Sequence, residues 1–141
     1  MSLTLATAQK IVTAALAHAR SAGFKPLSVV VLDGRGAVTA AASEDGTSLK
    51  RFDIAFNKAN GAVALNVGSR RLGEMAVERP HFISSATHAV GGLIPVAGGV
   101  LIKSAEGAVI GVVGISGDTS DNDEIAAIAG IKAAGLVADG G

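Results

Sequence analysis

The chain has 141 residues, with 12 lysines and arginines against 12 aspartates and glutamates, and 49% of its residues are hydrophobic. That length fits a single domain over residues 1–141 with one core, and the balanced charge excludes both a basic nucleic-acid footprint and an acidic tail. The absence of cysteine excludes disulfides, iron–sulfur ligation, thiolate zinc sites and cysteine nucleophiles.

The opening residues, Met1-Ser2-Leu3-Thr4-Leu5-Ala6-Thr7, lack the basic start and unbroken apolar run of a signal peptide. No stretch reaches the roughly 18 apolar residues a membrane span needs, so a cytoplasmic protein without membrane contact is expected. Its four aromatic residues are Phe24, Phe52, Phe56 and Phe82, alanine and glycine are abundant, and only 17% of residues are charged. Such a chain carries more apolar surface than a small monomer hides, which predicts a homo-oligomer, at least a dimer.

From Leu5 to Ala22, apolar residues at Ala8, Ile11, Val12, Ala15, Leu16 and Ala19 follow helical spacing, with Thr4 as N-cap and Gly23 as the stop. Leu27 to Leu32 is an apolar run rich in valine, the signature of a strand covered on both faces. Asp33-Gly34-Arg35-Gly36 supplies a tight turn, and Ala37 to Ala42 returns as the antiparallel partner. After the polar loop Ser43 to Thr47, a helix is predicted from Leu49 to Val67, ended by Gly68. Ser69 opens a short helix to about Val77, which Pro80 keeps from continuing. Arg79 to Gly91 shows no clear period.

Three apolar runs follow, at Leu93 to Val96, Val100 to Lys103 and Ala108 to Ser116, with gaps so short that only antiparallel neighbours fit. Ser120 with Asp123 resembles a capping box for a last helix through Ala134, stopped by Gly135. The predicted fold is α+β: a five-stranded, mainly antiparallel sheet flanked by helices, in the order α-β-β-α-α-β-β-β-α, with Leu27–Leu32 and Ala108–Ser116 central.

Several of these segments resemble the GlcG/HbpS-like family, which includes the C-terminal domain of PduO-type cobalamin adenosyltransferases. Val29-Val30-Val31-Leu32-Asp33-Gly34-Arg35-Gly36 is similar to the family's strand and turn, and Lys58-Ala59 to its second helix. Gly91-Gly92-Leu93-Ile94-Pro95-Val96 is similar to its glycine–proline strand entry. Gly111-Val112-Val113-Gly114-Ile115-Ser116-Gly117, followed by Asp123-Glu124, is similar to its C-terminal signature. The resemblance covers nearly the whole chain. It implies a profilin- or PAS-like sheet, assembly into dimers or larger oligomers and, in some members, binding of haem or involvement with corrinoid systems. On it rest the candidate ligand-binding residues Lys58, Gly91, Gly92, Pro95, Gly114 and Ser116. One departure stands out: the family commonly has an arginine just before the acidic residue after its second strand, and Ala41-Ala42-Ser43-Glu44-Asp45 has none.

The histidines are His18, His81 and His88. His18 lies at the flank of the first helix's apolar stripe, the place of an ordinary surface or interface histidine and also of a haem axial ligand. His81 and His88, read as loop residues, would share a face only in a helix. Neither spacing forms a zinc motif. With cysteine and tyrosine absent, Met1 terminal and Met75 on a polar helix, His18 ranks first as the haem-iron ligand and His88 second. A helix fixes its ring, whereas a loop must first be ordered.

Gly111, Gly114 and Gly117 precede a helix, but without the spacing or lysine of a nucleotide loop they read as close-packing glycines. Asp121, Asp123 and Glu124 complement the last helix's macrodipole and need no further role. Lys58, between Phe56 and Ala59, suits an ion pair or a substrate carboxylate, with snorkelling at the helix edge as its ordinary role. The leading functional expectation is an accessory small-ligand-binding protein that takes haem or a related tetrapyrrole at an inter-subunit cleft. The alternatives are a small catabolic isomerase or hydrolase acting on an organic acid and a structural interaction module. In the enzyme, Lys58, Arg51 or Arg70 would hold the carboxylate and Asp45 or Asp123 would move a proton.

Overall fold

A computed structural model describes residues 1–141. The elements are α1 (Leu5–Ala22), β1 (Ser28–Asp33), β2 (Val38–Ser43), α2 (Arg51–Leu65), α3 (Ser69–Glu78), α4 (Pro80–Val90), β3 (Gly99–Lys103), β4 (Val109–Ser116), α5 (Ser120–Ala133) and β5 (Val137–Asp139). The strands form one antiparallel sheet in the order β2-β1-β4-β3-β5. β4 and β1 lie inside it, as their doubly apolar sequences require.

Alternation along the strands divides the core. Val29 and Val31 of β1 and Val113 and Ile115 of β4 join Ile11, Ala15, Ala127 and Ile131 beneath α1 and α5. Val30, Leu32 and Val112 point the other way, onto Ala55, Ala59 and Ala62 of α2. A smaller cluster of Leu72, Ile83 and Leu93 ties α3 and α4 to the linker before β3. The helix ends follow capping chemistry: Thr4 Oγ1 accepts from Thr7 N–H at 3.1 Å, and Gly23 closes α1 at φ 73°.

Four local expectations are corrected. Leu93–Val96 is not a strand: it is the crossing from α4 to β3, buried at Leu93 and exposed by Val96, where Ile94 N–H reaches Asn57 C=O rather than a ladder partner. The fifth strand is instead β5, three residues paired with β3. The segment read as irregular is α4, with Pro80 in its first turn and Gly91 at φ 83° as its stop. α2 is shorter than Leu49–Val67 because Asn66 turns left-handed at φ 58°, and the N-cap of α5 is Thr119, whose side chain accepts from Asn122 N–H. The order is therefore α-β-β-α-α-α-β-β-α-β.

Candidate functional site

The densest polar cluster lies where α2, the end of β4 and the start of α5 converge. Lys58 projects from α2 into the protein, with its side chain 2% exposed, and its Nζ donates at 3.0 Å to both Ile115 C=O and Asp123 Oδ2. Asp123 in turn accepts from Asp118 N–H at 3.0 Å. Burial pulls the Lys58 ammonium below its ordinary value and pushes the Asp123 carboxyl above its own, while the partner's charge opposes each shift. Lys58 is thus enclosed rather than snorkelling, and Asp123 does more than complement the helix dipole.

Backbone shape makes room for this pair. A Cβ at Gly98, which sits at φ +125°, would stand 2.8 Å from both Lys58 Nζ and Ile115 O. A Cβ at Gly114 would stand 2.0 Å from Ala55 O, so that glycine lets α2 rest directly on β4.

Around the pair, Arg51 Nη1 donates to the buried Ser116 hydroxyl at 3.1 Å, and Arg51 Nε to Ser48 Oγ at 3.3 Å. Ser28 and Ser43 share a hydrogen bond of 2.8 Å on the neighbouring strands. Ser69 Oγ accepts from Gly99 N–H at 2.7 Å. Arg70 bridges Asp121 and Glu124, tying α3 to α5, and hydrogen bonds to those two carboxylates raise its pKa further.

Of the sequence-predicted residues, Lys58, Ser116 and Gly114 come together here, as do Arg51, Arg70 and Asp123 of the organic-acid reading. Gly91 ends α4, and Gly92 passes against α2, where a Cβ would meet Asn57 Oδ1 at 2.2 Å. Asn60 Nδ2 clamps that bend by donating to Val90 C=O and Gly92 C=O. Pro95 lines a separate groove of about 390 Å³ with Arg70, Val77 and Val96.

The histidines lie elsewhere. His18 is exposed on α1, its ring edge-on to Phe24 with centroids 6.1 Å apart. His81 and His88 are exposed on α4, two turns apart and so on one face. His88 is thus fixed on a helix as His18 is, rather than on a loop that must first be ordered. No group of three or more histidine or carboxylate side chains gathers as a metal site.

Sequence reading missed Ser28, Ser43, Ser69, Asp118 and the pairing of Lys58 with Asp123. The one available signal was a lysine on an apolar helix face, which requires a counter-charge if the face is buried.

Comparison with known proteins brings in relatives. Residues 3–132 match the family model described as haem degrading protein HbpS-like. The crystal structure of HbpS is 29% identical over 94% of this chain and 89% of that one, with a TM-score of 0.81. The Klebsiella pneumoniae protein ORFY is 25% identical over 96% of this chain and 92% of that one, with a TM-score of 0.83. The PduOC:heme complex shares the fold, with a TM-score of 0.86 at 24% identity over 97% of this chain and 98% of that one. No protein of curated function matches the sequence. No helix is long and apolar enough to cross a membrane.

Proposed function

The chain belongs to the HbpS-like family, and from that membership we propose that it is an accessory ligand-binding protein for haem or a related tetrapyrrole. His18 would hold the haem iron, at a cleft completed by a second copy of the chain. The observation that carries this reading is the exposed imidazole of His18, held on α1 against the edge of Phe24.

The residues fit the group in donor type, because imidazole is a strong axial ligand and the chain has no cysteine or tyrosine to compete with it. Bound haem would supply an iron centre for coordination and redox chemistry. The chain's own part would be to hold the iron with the His18 imidazole, whose ring lies edge-on to Phe24. None of the four surface cavities, about 310 to 470 Å³, is lined by His18. One chain thus offers a ligand without a pocket, which is why the cleft needs a second copy. The test is a haem titration of the wild type beside His18→Ala and His88→Ala, following the Soret band. Loss or weakening in His18→Ala is expected, and an unchanged spectrum and affinity in both variants rejects ligation by His18 and by His88.

One observation favours the second reading, an enzyme acting on an organic acid. Arg51 is partly buried and bonded only to hydroxyls, whereas Arg20, Arg35, Arg70 and Arg71 each pair with carboxylates. Arg51 is therefore open to a substrate carboxylate. Absence of haem binding by the wild type, together with weaker organic-acid binding in Arg51→Gln, moves the assignment there.

A further inference from the structure

An aspartate or asparagine followed by glycine is the pair most prone to rearrange its own backbone, because glycine brings no Cβ to keep its nitrogen from the preceding side-chain carbonyl carbon. The chain has four such pairs: Asp33-Gly34, Asp45-Gly46, Asn60-Gly61 and Asp139-Gly140.

Three of the four are restrained. Asp33 Oδ1 accepts from Arg35 N–H at 2.8 Å and from Ala37 N–H at 3.1 Å, and its Oδ2 pairs with the Arg35 guanidinium. Asp139 Oδ2 accepts from Lys103 Nζ at 2.6 Å and its Oδ1 from Gly141 N–H at 3.0 Å. Asn60 lies within α2, where its Nδ2 donates to Val90 C=O and Gly92 C=O. A carboxyl or amide so held turns back onto the next nitrogen only by giving up these bonds.

Asp45 has no such hold. It is exposed in the loop between β2 and α2, and its carboxyl takes part in no hydrogen bond or ion pair within the chain. Gly46 follows at φ +84°, at the corner of a turn closed by Thr47 N–H on Glu44 C=O at 3.2 Å, and the Gly46 N–H has no acceptor in the chain. The turn is pinned at its two ends: Glu44 N–H donates to Leu27 C=O, and Thr47 Oγ1 donates to Glu44 C=O at 2.6 Å. Both reacting groups are thus free at the tip of an exposed turn, the kind of place where changes to the backbone concentrate.

We propose that Asp45-Gly46 is a modification site, at which aspartate converts to isoaspartate and so becomes a substrate for carboxyl methyltransferases that esterify the free α-carboxyl of that residue. The Gly46 nitrogen attacks Cγ of the protonated Asp45 carboxyl. The N–Cγ bond forms as the carboxyl hydroxyl leaves with the amide proton as water, giving a cyclic succinimide. Water then adds at the ring carbonyl derived from the Asp45 backbone and breaks its bond to the Gly46 nitrogen. The chain now runs on through Cγ, and the Asp45 α-carboxyl is free. One water leaves and one enters, so the mass is unchanged and no redox partner is needed. The backbone gains one carbon inside a turn pinned at Glu44 and Thr47, beside the Arg20–Glu44 ion pair that lines the same cleft of about 450 Å³.

The test ages the purified protein at neutral pH, folded and in urea, and lets trypsin separate the three aspartates. Asp45 falls in the peptide Gly36–Lys50, Asp33 in Ser21–Arg35 and Asp139 in Ala133–Gly141. Electron-transfer fragmentation tells isoaspartate from aspartate at equal mass. In the folded protein isoaspartate is expected to accumulate at least several-fold faster in Gly36–Lys50 than in the other two peptides, and in urea at similar rates in all three. An isoaspartate methyltransferase supplied with labelled S-adenosylmethionine should label the aged folded wild type far more than Asp45→Glu, whose longer side chain closes a ring much more slowly. Asp45→Asn reaches the same succinimide by losing ammonia and should be labelled sooner than the wild type. Equal rates at the three sites in the folded protein, faster conversion at Asp33 or Asp139, or conversion of Asp45 in urea but not in the fold overturns the proposal.

Discussion

Lys58 Nζ and Asp123 Oδ2 lie 3.0 Å apart, 65 residues distant in sequence, with both side chains almost fully enclosed. Three elements are locked at that point: α2 through Lys58, β4 through the Ile115 carbonyl, and α5 through Asp123. Asp123 also accepts from Asp118 N–H, so the same carboxylate shapes the turn entering α5.

Breaking this pair from one side leaves a buried charge without its partner, at a cost of about 3–5 kcal/mol, whereas replacing both partners by apolar residues of similar volume is far milder. Lys58→Ala and Asp123→Ala are therefore each expected to lose stability in that range, with Lys58→Met/Asp123→Leu retaining much of it. Urea denaturation measures all four proteins. A single-variant loss below about 1 kcal/mol would put the pair in the class of surface ion pairs.

Acid should weaken the fold through Asp118. Its carboxylate accepts from Lys25 N–H and Thr119 N–H, both at 2.7 Å, and from Asn122 Nδ2 at 2.9 Å. These bonds, that to Lys25 first, hold its folded pKa below the ordinary 3.8. As pH falls the unfolded chain takes up this proton first, so the contribution is complete above 3.8 and is lost as pH drops through the lower folded value. Asp33 and Asp139 shift in the same direction, through Ala37 N–H and Lys103 respectively. Urea midpoints measured from about pH 5 down to about pH 2 should fall steeply in the wild type and less steeply in Asp118→Asn. Parallel curves would count against the role given to Asp118.

What the sequence made legible was what one element decides alone. β1 and β4 announced themselves by being apolar on consecutive positions, since a strand covered on both faces has no polar side to show. α1 did so through one stripe and two ordinary caps. α4 was missed because only Ile83 and Ala86 are buried along its length, too weak a stripe to see. Its Pro80 start and Gly91 stop were the better signal. β5 has no period to detect in three residues, and the apolar run at Leu93–Val96 does not pair: Leu93 is buried with Leu72 of α3 and against Gly61 of α2, while Val96 is exposed. The site was less legible still, because Lys58 finds its counter-charge on another helix, and no spacing rule reaches across 65 residues.

Gly114 carries the closest contact between helix and sheet. An added Cβ would lie 2.0 Å from Ala55 O and 2.9 Å from Ala59 Cβ, and neither can yield without moving α2. Gly114→Ala is expected to cost at least the roughly 1–3 kcal/mol typical of overpacking. Gly107, in the turn between β3 and β4 at φ +88° with no atom within 4 Å of an added Cβ, is the control. There alanine pays only the left-handed backbone strain, about 1–2 kcal/mol. Thermal denaturation of both variants checks the ranking, and a smaller loss at Gly114 would show that α2 is free to slide on the sheet.

The haem reading makes a stoichiometric prediction as well as a spectral one. His18 is exposed, and its neighbouring ring is Phe24 at the edge of the core. A planar tetrapyrrole on that surface would leave its second face in water unless another chain covers it, and apolar area left uncovered forfeits about 25 cal/mol per Å². Titration should therefore saturate near one haem per two chains. Sedimentation should show the mass rising to at least a dimer of the 13.8 kDa chain when haem is added. His88 provides the comparison: it is equally exposed and equally fixed on a helix, so His88→Ala should keep both the Soret band and the shift in mass, while His18→Ala should lose both. A haem that saturates at one per chain without a change in mass would place the ligand on a single subunit and remove the shared cleft.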